Sequence, residues 1–175
     1  MANDPFAAAR DGDVDFIKKL IEEDGYNINT VRWSGFTLLH RAAECGHTEL
    51  CEYLVQQGAK LDLKTTWGWY TPVHLALGNG WKETSAYLVE AGAKPHCKNK
   101  DGQTPAEYAH VRGYRDLSRD FTHIVETIQE AQRNAREHRR MKELAKLNQE
   151  KAEQMAAKRA AKKTKKKELD PVPRD

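Results

Sequence analysis

Gly35-Phe36-Thr37-Leu38-Leu39-His40-Arg41-Ala42-Ala43 returns as Gly68-Trp69-Tyr70-Thr71-Pro72-Val73-His74-Leu75-Ala76, and again as Gly102-Gln103-Thr104-Pro105-Ala106-Glu107-Tyr108-Ala109. Thr37 to Thr71 is 34 residues and Thr71 to Thr104 is 33, so the chain repeats with a period of about 33. A fixed period in that range predicts stacked supersecondary units, each burying its apolar face only against a neighbour.

The second half of each unit recurs in register. Gly46-His47 opens Thr48-Glu49-Leu50-Cys51-Glu52-Tyr53-Leu54-Val55-Gln56-Gln57-Gly58-Ala59, and Gly80-Trp81 opens Lys82-Glu83-Thr84-Ser85-Ala86-Tyr87-Leu88-Val89-Glu90-Ala91-Gly92-Ala93. An eroded unit precedes them in Ala7 to Ile21, with Gly12 standing 34 residues before Gly46. Local chemistry explains the repeated residues. Thr37, Thr71 and Thr104 are helix N-caps. Pro72 and Pro105 occupy the first helical position, where the missing N–H costs nothing. Thr104 and Glu107 read as a capping box. Gly46, Gly80 and Gly113 end the first helix of each pair, and Gly58 and Gly92 the second.

These motifs resemble the ankyrin repeat, whose signature is G-x-T-P-L-H-x-A-A, then G-H, then L-L-x-x-G-A. The resemblance covers roughly residues 5–124 and implies an all-α solenoid of helix-turn-helix units joined by projecting finger turns. The units fall at about 5–31, 32–64, 65–98 and 99–124. Two departures stand out: Leu38 replaces the expected Pro, and Trp69-Tyr70 inserts one residue where the other units have Phe36 or Gln103 alone. The resemblance also implies that His40 and His74 tie neighbouring turns together by hydrogen bonds.

The net charge of +3 hides an asymmetry. Residues 1–132 hold 14 Lys or Arg against 19 Asp or Glu, whereas residues 133–168 hold 14 against 5. A mildly acidic body therefore carries a basic arm, and the two parts are expected to do different work. After Gly113 there is no glycine, no proline before Pro171, and no G-A turn near residue 125. The second helix of the last unit is thus expected to run on as a long helical arm over 125–168, and one helix from Arg115 to Glu168 would reach ~80 Å at the usual rise. Leu117, Phe121, Ile124, Ile128, Ala131 and Ala135 form an apolar stripe that would cap the stack or grip a partner helix. Residues 169–175, broken by Pro171 and Pro173, are expected to be a disordered tail.

No apolar stretch approaches the length of a membrane span. Met1-Ala2-Asn3-Asp4-Pro5 has neither the basic start nor the apolar core of a secretory signal. Three cysteines, Cys45, Cys51 and Cys97, never in C-x-x-C spacing, fit a reducing cytoplasmic compartment. P-loop, dinucleotide and zinc-protease motifs are missing from the sequence, so no enzyme, cofactor or metal is expected. Cys45, His47 and Cys51 have no fourth ligand at a usual spacing.

Two sites are expected instead. Trp33, Phe36, Trp67, Trp69 and Tyr70 gather in the fingers, which in ankyrin proteins adjoin a concave binding face. They either bind a protein partner or pack on one another. Glu44, Cys45, Asn79 and Arg112, at the ends of first helices, form the polar side of that face. Trp81 is expected to pack. On the arm, Arg139, Arg140, Lys142, Lys158, Arg159, Lys162, Lys163, Lys165, Lys166 and Lys167 carry the basic charge. Their expected partner is an acidic surface in a multi-subunit assembly, such as a cytoskeletal or ciliary filament. The alternative is RNA or DNA bound by a nuclear factor. Past Tyr114 the arm's only aromatic is Phe121, in the apolar stripe, so base stacking has no platform.

Overall fold

A computed structural model describes residues 4–32 and 34–169, with side chains through residue 158. Trp33 and residues 1–3 and 170–175 lie outside the described residues, as does most of the expected tail. Eight helices occur among the described residues: α1 (Pro5–Asp11), α2 (Val14–Glu22), α3 (Leu38–Cys45), α4 (Thr48–Gln56), α5 (Pro72–Gly78), α6 (Lys82–Glu90), α7 (Pro105–Val111) and α8 (Arg115–Leu169). The architecture among the described residues is all-helical, a stack of short helix pairs followed by one long C-terminal helix. Residues of the chain form two compact units, Met1–Gln129 and Glu130–Asp175.

Within the first unit the first helices stack in order, α1 on α3, α3 on α5, α5 on α7, and the second helices α2, α4 and α6 do the same. The caps are local. Thr37 Oγ1 accepts the His40 backbone N–H at 3.3 Å, and the Thr37 N–H donates back to His40 Nδ1 at 3.2 Å. The other ring nitrogen leaves the repeat: His40 Nε2–H donates to the Leu63 carbonyl at 3.0 Å and lies 3.2 Å from that of Tyr70. His74 repeats the arrangement, its Nε2 meeting the Gln103 carbonyl at 3.1 Å. Each histidine therefore joins its own helix start to the next finger. Burial pushes the pKa of His40 down to about 4, which keeps the ring neutral with one donor and one acceptor nitrogen. Glu107 substitutes in the last unit by accepting both the N–H and the hydroxyl of Thr104, at 2.7 and 2.9 Å.

A second ladder joins the far ends of the first helices. His47, Trp81 and Tyr114 each follow a repeat glycine, and each lays its ring on the glycine one repeat earlier: Gly12, Gly46 and Gly80. A Cβ on Gly46 would sit 2.3 Å from the Trp81 ring, so the close approach requires glycine there as firmly as the turn does. Trp81 Nε1–H donates to the Glu44 carbonyl at 3.0 Å. His47 Nε2 meets the Arg10 carbonyl at 2.7 Å.

The last unit is covered by the start of α8. Phe121 and Val125 are buried in the common core, with Leu117 and Ile128 packed beside them. Ser118 Oγ donates to the Ala106 carbonyl at 2.7 Å, and Lys82 pairs with Asp120 at 2.9 Å. The expected stripe needs correcting in register. Val125, not Ile124, is the deeply buried residue after Phe121, and Ala131 and Ala135 are exposed. Four-residue spacing from 121 to 125 puts both side chains on one side of the helix, which the stepwise reading from Leu117 passed over.

Candidate functional site

Each finger is closed by a backbone bond across its base, and the second finger is the longest. Arg32 N–H donates to the Phe36 carbonyl, Asn99 N–H to that of Gln103, and Thr65 N–H to that of Tyr70. Counting from 65 to 70 shows the extra residue relative to 32–36 and 99–103. The chain absorbs it at Trp69, the one non-glycine residue with positive φ among those described, at 57°. A bulky side chain in that region carries strain of about 1–2 kcal/mol relative to glycine. Thr65 steadies the loop by accepting the Tyr70 N–H on its hydroxyl at 3.0 Å.

The fingers are also tied to one another. Thr66 N–H donates to the Ser34 carbonyl and Lys100 N–H to that of Gly68, at 3.0 and 2.9 Å. Gly35 lies buried under the second finger at φ 79°, where a Cβ would stand 2.3 Å from the Thr66 nitrogen. The strained tip is therefore carried on a base braced from both sides.

That tip presents two tryptophans to solvent. Trp67 is 74 % exposed and Trp69 is 51 % exposed. Lys64 holds its ammonium 5.5 Å from the Trp69 ring centroid and donates to the Lys98 carbonyl. Phe36 and Tyr70 behave differently. Phe36 is half-buried against His40, with ring centroids 5.6 Å apart. Tyr70 packs 4.9 Å from Tyr108 and edge-on to His74. The aromatic cluster thus divides into an exposed pair at the tip and a packed pair at the root, while Trp33 lies outside the described residues.

The polar residues expected beside them are largely engaged between repeats. Asn79 Nδ2 donates to the Glu44 carbonyl at 3.1 Å. Arg112 donates to the Gly78 carbonyl and to Asn79 Oδ1, both at 3.2 Å, with its guanidinium over the Tyr108 ring. Glu44 pairs through its carboxylate with Arg41. Cys45 is half-buried, and burial with Glu44 close by pushes its thiol above the ordinary range. Burial holds the Cys51 thiol up at about 12, so neither cysteine is disposed to form a thiolate. Among the described residues no three His, Cys, Asp or Glu side chains converge as metal ligands.

The sequence reading passed over Arg32 and Arg41, which stack on Phe6 and Phe36 respectively. On the arm, Arg139, Arg140, Lys142 and Lys158 are exposed, as are Met141, Leu144, Leu147 and Met155. The side chains of Arg159, Lys162, Lys163, Lys165, Lys166 and Lys167 lie outside the described set. No helix among the described residues is long and apolar enough to cross a membrane.

A family model for ankyrin repeats in three copies matches residues 5–65. Two curated proteins show the same kind of likeness. Alpha-latrocrustotoxin-Lt1a of Latrodectus tredecimguttatus is 39% identical over 59 residues, 34% of this chain and 4% of the toxin. The palmitoyltransferase AKR1 of Yarrowia lipolytica is 42% identical over 57 residues, 33% of this chain and 8% of that enzyme. The chain therefore spans less than a tenth of either relative, as those 4% and 8% shares show.

Proposed function

We propose that this chain, an ankyrin-repeat module for protein–protein interaction, is a non-catalytic adaptor or structural subunit of a large intracellular assembly. The fingers and first helices grip one protein. The basic arm docks separately on an acidic protein surface, such as a filament of the cytoskeleton or a cilium, which also makes the cytoplasm its place. The observation that carries the reading is the pair Trp67 and Trp69, exposed at 74 % and 51 % on a braced finger. Exposed tryptophans are costly to leave in water and are favoured as binding anchors. The strain at Trp69 points the same way, because a left-handed tryptophan is a local sacrifice of stability that glycine would avoid. The short likeness to a palmitoyltransferase covers 8% of that enzyme and brings none of its activity to this chain's reading. The arm's charge, 14 basic residues against 5 acidic over 133–168, supports an acidic partner whose grip weakens as salt rises.

Trp69→Gly separates binding from folding. The substitution should leave the melting temperature unchanged or raise stability by up to about 1 kcal/mol, since glycine relieves the positive φ. Combined with Trp67→Ala, it should weaken the finger's protein partner by more than about 2 kcal/mol, roughly thirtyfold, measured by calorimetry or pull-down titration. A large fall in melting temperature with unchanged affinity would make the rings internal packing and end the proposal.

A further inference from the structure

We propose that Arg32 and Arg41 form a carboxylate-binding site that receives an acidic segment of the partner protein. The two side chains come from different places, Arg32 from the first finger and Arg41 from α3, and both line one pocket of about 270 Å³. Each guanidinium lies on a phenyl ring: Arg32 is 4.6 Å from the centroid of Phe6, and Arg41 is 4.9 Å from that of Phe36. Each is also held by one carboxylate, Arg32 by Asp4 and Arg41 by Glu44. Stacking and pairing fix the planar forks before a ligand arrives, so little side-chain freedom is left to lose on binding. A guanidinium carries five N–H donors. Among the described residues Arg32 and Arg41 each make one side-chain hydrogen bond, so the forks keep donors for an incoming acceptor.

Charge selects the ligand. Arg10 lines the same pocket and pairs with Asp11. The lining itself holds three arginines against one carboxylate, Asp4, because Asp11 and Glu44 pair with Arg10 and Arg41 from outside it. That excess of positive charge suits an anion, and a planar carboxylate matches a guanidinium fork in shape. The volume, about 270 Å³, falls below the usual range for small-molecule pockets of roughly 300–1,000 Å³ and suits one inserted side chain. The occupant is therefore a Glu or Asp side chain of a protein segment, lying beside Phe6 and Phe36 with its backbone along the finger.

The inference shares with the adaptor reading only the assignment of this face to a partner. Its test uses the full ¹⁵N-labelled chain at physiological salt, titrated with a blocked heptapeptide of alternating Gly and Glu, with its Gln counterpart, and with its phosphoserine counterpart. The arginine Nε–Hε signals of Arg32 and Arg41 should shift and saturate with the Glu peptide and stay still with the Gln peptide. Arg32→Lys and Arg41→Lys, which keep charge but lose the fork, should each weaken that response about tenfold with little change in melting temperature. Shifts confined to residues 133–168, a response to the phosphoserine peptide alone, no response at either arginine, or indifference to both Lys variants would overturn the site. Any of these results leaves the Trp67 and Trp69 experiment standing, because that measurement reads a different finger.

Discussion

A chain ending after Gly113 should fail to form a stable stack, whereas one ending after Gln132 should melt cooperatively close to the full-length chain. The difference lies in the first turns of α8. Phe121, 2 % exposed, and Val125, 3 % exposed, complete the core of the last unit. Burying each such side chain is worth about 2 kcal/mol, and the half-buried Leu117 and Ile128 add about 1 kcal/mol apiece. The Ser118 bond to the Ala106 carbonyl and the Lys82–Asp120 pair are lost as well. A loss of about 6 kcal/mol approaches the whole stability of a small domain. Terminal repeats need such a cover, because a stacked unit cannot hide its own outer face. Circular dichroism melts of the two fragments, with Phe121→Ala in the full chain as a control, make the comparison. Equal melting temperatures would show that the apolar side of this segment serves a partner and not the stack.

Acid should loosen the repeat body well before its carboxylates are all neutral. His40 is fully buried and titrates near 4 in the folded chain, against about 6.5 when unfolded. The folded value is the lower one, so below about pH 6.5 the unfolded chain binds a proton that the folded chain refuses. Stability from this group is complete above pH 6.5 and declines as pH falls, down to the folded value near 4. The loss across that window is on the order of 3 kcal/mol. Burial depresses His74 in the same direction, so its contribution adds to the slope. Urea melts at successive pH values should show the decline, and His40→Gln should flatten most of it while lowering stability at pH 7. An unchanged slope in that variant would place the acid sensitivity elsewhere.

Much of the fold was legible because its chemistry is local. Thr37 caps a helix three residues from His40, and a T-x-x-H spacing puts the ring within reach of its own cap. The missing glycine near residue 125 foretold a helix that does not stop, and α8 runs to Leu169. What escaped the reading lies one repeat away. Asn79 reaches Glu44 across 35 residues and Arg112 reaches Asn79 across 33, so residues expected to line a groove are spent on joining repeats. Trp81 was expected to pack, yet its seat on Gly46 depends on how two turns approach, which no window of sequence displays. Within the aromatic cluster, exposure could not be read from composition. The inserted residue at Trp69 was visible as a change in spacing, but its left-handed backbone was not. Arg32 and Arg41 went unnoticed because their rings, Phe6 and Phe36, come from separate stretches of chain.

The most direct test of the central claim places a photo-crosslinking amino acid at position 67 and, separately, at position 142, in the intact chain within its source cell. Position 67 reports the strained second finger, and position 142 the exposed basic arm. The adaptor account predicts that position 67 captures one protein, that position 142 captures a different, acidic protein, and that raising salt before irradiation of a lysate abolishes only the second. Capture of nucleic acid at position 142, with no protein captured at position 67, would contradict it.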